Sequence, residues 1–209
     1  MMININVYSD LSCPWCYVGK RRLDKAIQQF SPSNITVNWH PYIIDKNTAQ
    51  KGEEYMAYNI RRWGGDGWTH SLKRAGQRDG LAFKNWKIWP NSLHAHRLVH
   101  LAGVQKGAEG QGRAKDILFR MIYEDGLNVS EVETLIEAAK ELGLEGSEEY
   151  LKSSRDVDLI LSEDSHAKSE MKISGVPFFV ISGKNQKTVS LSGAQSTEQF
   201  LAALNRVCQ

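Results

Sequence analysis

The spacing of apolar positions changes several times along the chain. Residues 3–8 alternate Ile, Asn, Ile, Asn, Val and Tyr, and a period of two with β-branched residues predicts a strand. After a break over 10–14, Leu23, Ala26, Ile27 and Phe30 recur at three and four. That spacing predicts a helix, with Lys20, Arg21, Arg22 and Lys25 on its other face and Ser31-Pro32-Ser33 as its stop. Residues 35–42 read as a second strand with Pro41 near its end. From about residue 50 to 173 the β-branched runs vanish and helical periods take over. Helices are predicted over 53–63 and 69–78, split by Gly64-Gly65-Asp66-Gly67, then over 92–105 and 111–124. Ser130 and Glu133 have capping-box spacing ahead of Val132, Leu135, Ile136 and Ala139, and Gly143 is placed to end that helix. One more helix is expected over 156–173. Strand character returns over 176–181, followed by a turn at 183–186 and a partner strand at 188–191. Ser196 and Gln199 then form a second capping box, opening a helix that carries Phe200, Leu201, Leu204 and Val207.

The order is therefore β-α-β, a block of helices, then β-β-α. Either half-sheet alone would leave an apolar face exposed and has too few strands to stand by itself. The two halves are expected to join in one sheet, making an α/β protein with a large all-helical insertion. The expected division is 1–48 for the first half, 49–173 for the insertion and 174–209 for the second half.

Composition narrows the partners. With 26 basic and 24 acidic residues in 209, the formal net charge is +2, which argues against a nucleic-acid binder. The longest apolar run, 176–181, is far short of the roughly 20 residues that span a bilayer, so no membrane association is expected. The opening MMININVYSD lacks the basic and apolar regions of a secretory signal, and a cytoplasmic location is expected. Neither monomer nor homodimer is favoured.

Three cysteines, Cys13, Cys16 and Cys208, are too few and too odd in number for a secreted disulfide scaffold. Cys13-Pro14-Trp15-Cys16 falls where a strand hands over to a helix. Three-residue spacing puts both sulfurs on one helix face. Cys13 is expected in the first turn, where unpaired amides and the helix dipole favour a thiolate. Pro14 is tolerated there because its missing N–H has no intrahelical partner. Cys16, one turn deeper, is expected to be more shielded. Two such thiols suit exchange: Cys13 attacks a disulfide, and Cys16 displaces the product from the mixed disulfide. A zinc site would need two more ligands. His94, His96 and His100 offer nitrogen, and His96 and His100 have helical metal-pair spacing, but no second tight pair exists. Redox use is the better reading, and no metal or obligatory cofactor is expected.

The segment YSDLSCPWCYVGKRRL closely resembles the active-site opening of DsbA-like thioredoxin-fold oxidoreductases, in particular the FrnE-type branch. Three more stretches are similar to that branch. They are Asn91-Ser92-Leu93-His94-Ala95-His96-Arg97, Ser174-Gly175-Val176-Pro177-Phe178-Phe179-Val180 and Leu191-Ser192-Gly193-Ala194-Gln195. The resemblance implies a thioredoxin-like fold and a cis-proline at Pro177 beside the dithiol, with the Val176 backbone able to pair with an extended substrate. It also implies Asn91 and His96 as supporting residues brought in by the insertion. The expected reaction is thiol–disulfide exchange with a protein, a peptide or a small thiol, with glutathione as a candidate co-substrate.

Kappa-class glutathione transferases and chromene carboxylate isomerases share this layout and generally use a serine, for which Ser12 is the candidate. A non-catalytic binding or chaperone module is a third reading. Trp15 is expected exposed beside the sulfurs. Trp63, Trp68, Trp86 and Trp89 are dense enough to wall a cleft over Cys13, although such aromatics are more often core. Arg21-Arg22 and Arg61-Arg62 read as solvated faces, and Cys208 as a bystander open to glutathionylation or dimerisation.

Overall fold

A computed structural model describes residues 2–30, 34–183 and 186–209. The expected helix stop at Ser31-Pro32-Ser33 and the middle of the 183–186 turn lie outside the described residues. Strand β1 (Met2–Ser9) leads through a short turn into α1 (Pro14–Gln29), and β2 (Asn34–Pro41) returns parallel to β1. The β-branched alternation of β1 sends Ile3, Ile5 and Val7 wholly into the core. At the far end of the chain, β5 (Phe178–Ser182) pairs antiparallel with β1, Ile5 opposite Ile181. The next strand, β6 (Thr188–Ser192), pairs antiparallel with β5. The sheet order is β2-β1-β5-β6, so the two half-sheets do join, with β1 central and bonded on both sides. The last helix, α8 (Thr197–Cys208), carries the expected Ser196–Gln199 capping box and packs on α1.

Between β2 and β5 lies the helical block. The first short strand, β3 (Glu53–Glu54), pairs with β4 (Ile88–Trp89); between them run α2 (Tyr55–Trp63) and α3 (Thr69–Arg78). These two-residue strands escape a periodicity reading because two residues carry no period. The helices expected over 92–105 and 111–124 are the two arms of α4 (Leu93–Arg120), which meet at a non-helical kink and continue into a π-helical turn over Met121–Asp125. The bend is at Gly107, whose φ of 65° and ψ of −161° lie in a region open essentially to glycine alone. Then follow α5 (Val132–Leu142), α6 (Ser147–Lys152) and α7 (Val157–Ser169). One continuous core joins β1 and α1 to Leu98, Leu118, Leu135 and Leu151 of this block.

Three local expectations fail for identifiable reasons. The Ser130–Glu133 capping box does not form: Glu131 is the N-cap of α5 and makes no side-chain cap, while the Ser130 hydroxyl accepts the Asn91 amide at 2.9 Å. Lys20 is not on a wet face; it is buried, bonded to Asp24 at 2.8 Å and Asp116 at 2.6 Å. Of the four arginines read as solvated, Arg22 is half-buried and anchored to Asp79 at 2.7 Å, while Arg21, Arg61 and Arg62 are exposed as expected.

The block is tied together by Arg97, fully buried on α4. Its guanidinium donates to the carbonyls of Tyr150, Leu151, Ser153 and Arg155 at 2.7–3.3 Å, closing the C-terminal end of α6. Removing it leaves those carbonyls short of donors in a dry site. Arg97→Met is expected to lower unfolding stability by about 3 kcal/mol or more, read by urea titration; a loss within about 0.5 kcal/mol, the usual range for a surface change, would count against this role.

Candidate active site

The site is built at the carboxyl end of β1. Asp10 follows directly, and its buried carboxylate organises the turn. Oδ1 accepts the Ser12 amide at 3.1 Å, and Oδ2 accepts the Ser12 hydroxyl at 2.8 Å and the Ile44 amide at 2.8 Å. The Asp10 carbonyl accepts the Cys13 amide at 3.2 Å. This Asx-type turn launches α1. Cys13 is its N-cap, in extended backbone rather than the first turn, and Pro14 is the first helical residue. Burial pushes the Asp10 carboxyl up, but the neighbouring His96, the Ile44 amide and Ser92 outweigh it and hold the group at about 2. His96 Nε2 lies 3.4 Å from Asp10 Oδ1 and has no hydrogen-bond partner. Burial lowers the His96 pKa, against an upward pull from Asp10.

Cys13 and Cys16 are both free thiols. Cys13 is 5% exposed and Cys16 1%, which matches the expected order of shielding. The Cys13 thiol donates to the Val176 carbonyl at 3.7 Å. Burial, then the hydrogen bond to Cys13, push the Cys16 thiol well above its ordinary pKa; the Asp10 amide and the Lys115 ammonium oppose that rise. The Val176–Pro177 peptide is cis, and the Pro177 carbonyl accepts the Gly193 amide at 2.8 Å. The proline ring reaches α1 at Gly19, where an added Cβ would stand 3.0 Å from Pro177 Cγ and 3.2 Å from Phe179 Cζ. Glycine at that position lets the loop close onto the helix that carries the thiols.

A cleft of about 610 Å3 opens over Cys13. Its lining combines Pro14, Trp15 and the 174–176 segment with Trp63, Trp68 and Trp89. Trp15 is half-buried rather than exposed. Three of the four clustered tryptophans thus wall the cleft, while Trp86 is core. Trp63 is 52% exposed and meets Trp68 edge-on at 6.3 Å; Trp89 stacks on Tyr58 at 3.9 Å. The Arg62 guanidinium lies over Trp63.

Not every expected residue arrives here. The Asn91 side chain donates to the Thr48 carbonyl at 3.0 Å and accepts the Leu93 amide at 3.2 Å; it fixes the entry to α4, away from the sulfurs. Ser12 is buried with its hydroxyl committed to Asp10. His96 reaches the site only through Asp10. Cys208 is half-buried on α8. Among the described residues no group of three or more His, Cys, Asp or Glu side chains is arranged to hold a metal. Asp10 itself and Lys115 were not singled out from sequence, although an Asp two residues before a Ser at a helix start is an Asx-turn signal.

Comparison with known proteins places this geometry. The DSBA-like thioredoxin domain matches residues 4–205, and the chain belongs to that family. The uncharacterized protein YwbO of Bacillus subtilis (strain 168) is 26% identical over 193 residues, 87% of this chain and 88% of that protein. Among solved structures, the probable DsbA oxidoreductase SCO1869 from Streptomyces coelicolor superposes with a TM-score of 0.83 at 25% identity, covering 98% of this chain and 89% of its own. A 2-hydroxychromene-2-carboxylate isomerase gives 0.70 at 17%, covering 98% and 96%. The cytosolic disulfide reductase DsbM from Pseudomonas aeruginosa gives 0.63 at 18%, covering 98% and 94%, and has also been solved with GSH. The last two share the fold.

The Asp10 carboxyl has a folded pKa below its unfolded value near 3.9, so its contribution to stability is present above that value and is lost as pH falls towards about 2. Asp10→Asn is expected to cost about 2 kcal/mol at neutral pH. The gap from the parent should narrow as pH is lowered from 5 towards 2, as read by urea unfolding at a series of pH values. A gap independent of pH would sink this assignment.

Proposed function

We propose that this chain is a thiol–disulfide oxidoreductase working through Cys13 and Cys16. The observation that carries the reading is the position of Cys13: at a helix N-terminus, at the mouth of the aromatic cleft, against the Val176 carbonyl of the Pro177 loop. In the reaction the Cys13 thiolate attacks one sulfur of a substrate disulfide and releases the other as a thiolate. Cys16 then attacks Cys13, releasing the second substrate thiol and leaving the protein oxidised. Run backwards, the same steps oxidise a dithiol. The substrate is a disulfide or dithiol on a protein, a peptide or a small thiol such as glutathione. The apolar walls suit the side chains flanking a cysteine, and Arg62 sets a cation at the rim for a carboxylate. The Val176 backbone, beside Pro177, is the strand edge an extended substrate would join.

The motifs shared with the FrnE-type branch and the fold shared with the cytosolic reductase DsbM support a cytoplasmic protein using glutathione or a protein client. No helix among the described residues is long and apolar enough to cross a membrane. The serine-based transferase or isomerase reading is less well supported, because the Ser12 hydroxyl is buried and donates to Asp10 instead of facing the cleft.

Cys13→Ser is expected to reduce disulfide-reductase and dithiol-oxidase turnover to background, and Cys16→Ser to accumulate a mixed disulfide visible by intact mass. Turnover unchanged in Cys13→Ser would reject the function. Client binding retained without any redox couple would favour a binding module.

A further inference from the structure

Cys16 poses a problem that Cys13 does not. It is closed off from solvent, and to resolve a mixed disulfide its thiol has to lose a proton inside the protein. The backbone beneath it is the end of β1, where the Asp10 amide faces its sulfur. The preceding residue, Ser9, is fully buried and accepts a hydrogen bond from Lys115 Nζ at 2.8 Å. Lys115 comes from α4, is itself 0% exposed, and lies over the rings of Trp39 at 5.5 Å and Phe119 at 5.8 Å. A lysine in such surroundings is costly unless it is used.

Lys115 also lines a second cavity, of about 290 Å3, that shares no lining residue with the cleft over Cys13. Asn6, His40, His96, His100 and Glu163 share that cavity, and polar cavities of this size hold water. We propose that Lys115 is the proton acceptor for the resolving thiol, with this second cavity as its route to solvent. The inference rests on the oxidoreductase reading and adds a residue to it.

The step balances as follows. Nζ is bonded to the Ser9 hydroxyl and not directly to the thiol, so the Cys16 thiol proton passes to the neutral Lys115 amine through one bridging water. The Cys16 thiolate forms a bond to Cys13 Sγ, and the bond from Cys13 Sγ to the substrate sulfur breaks. That sulfur leaves with the bonding pair and is protonated from water, while the Lys115 ammonium returns its proton to the second cavity. The substrate disulfide is the oxidant, and no other co-reactant is needed. Lys115 is bonded to Ser9 at the end of β1, and the charged or titratable groups that act on it electrostatically or share its cavity are Asp10 after β1, Cys13, Cys16 and Lys20 on the α1 side, His40 on β2, His96 and His100 on α4 and Glu163 on α7. Burial is the dominant influence, bringing the amine down to about 8, while Cys16, Asp10 and Cys13 push it up and Lys20 adds to the fall. A neutral amine is therefore accessible near physiological pH.

The test uses the aromatic disulfide 5,5′-dithiobis(2-nitrobenzoate) on the full chain carrying Cys208→Ser. Attack by Cys13 releases a first thionitrobenzoate, and attack by Cys16 on the mixed disulfide releases a second, so one absorbance trace reads the two thiols in turn. Lys115→Met is expected to slow the second release by about a hundredfold and leave the first within about twofold, well inside the discrimination of a general-base effect. The second rate in the parent should rise with pH and level off near 8, and in Lys115→Met it should keep rising. An unchanged second rate, or an equal slowing of both, overturns the inference. Should Lys115→Met not fold, the parent profile decides: a rise without an inflection near 8 overturns it. A single release from the parent overturns the dithiol reading itself, a result distinguishable from failure of the Lys115 role alone.

Discussion

The buried Asp10 carboxylate is the constraint on which the rest of the site depends. A charged group removed from water has to be met by donors, and here the donors are Ser12 of the turn and the Ile44 amide that follows β2. One side chain, on the residue after β1, thus ties the turn into α1 to the segment after β2. The Cys13 amide rests on the Asp10 carbonyl. The position of the outer sulfur is therefore an indirect result of satisfying a charge three residues earlier, and the spacing between the acid and the first thiol is set by the size of an Asx turn.

Much of the fold could be read from the sequence because its elements announce themselves locally. The alternation in β1, the apolar spacing in α1 and the Ser196–Gln199 box each need only a few neighbours to be recognised. What escaped was decided at long range. Ser130 has the right spacing to cap α5, but its hydroxyl is already taken by Asn91, 39 residues away. The two helices expected over 92–105 and 111–124 are there, with the break between them at Gly107. The 176–181 strand starts two residues late, at Phe178, because Pro177 has no amide to give the ladder.

The site divides along the same line. Cys13, Cys16 and the Pro177 loop were legible because short motifs carry them. Lys20, Arg97 and Lys115 were not, since a basic residue in a helical pattern reads as a wet position. All three are buried, and each takes a partner that the fold brings from elsewhere: Asp116 for Lys20, the end of α6 for Arg97, and Ser9 for Lys115. Polarity in a sequence records the need for a partner, and water is only the commonest one.

The bend at Gly107 separates two stretches of α4, one bearing His96 and the other Lys115, and each stretch reaches the underside of the same turn. The insertion is thus stitched to the sheet on both sides of its own hinge. It follows that the helical block is no interchangeable cassette. Transplanted onto another thioredoxin-like host, it would carry an ammonium and an imidazole to a strand end that had no serine or aspartate waiting. A lineage that lengthened or shortened the segment around Gly107 would put those two groups out of phase with each other.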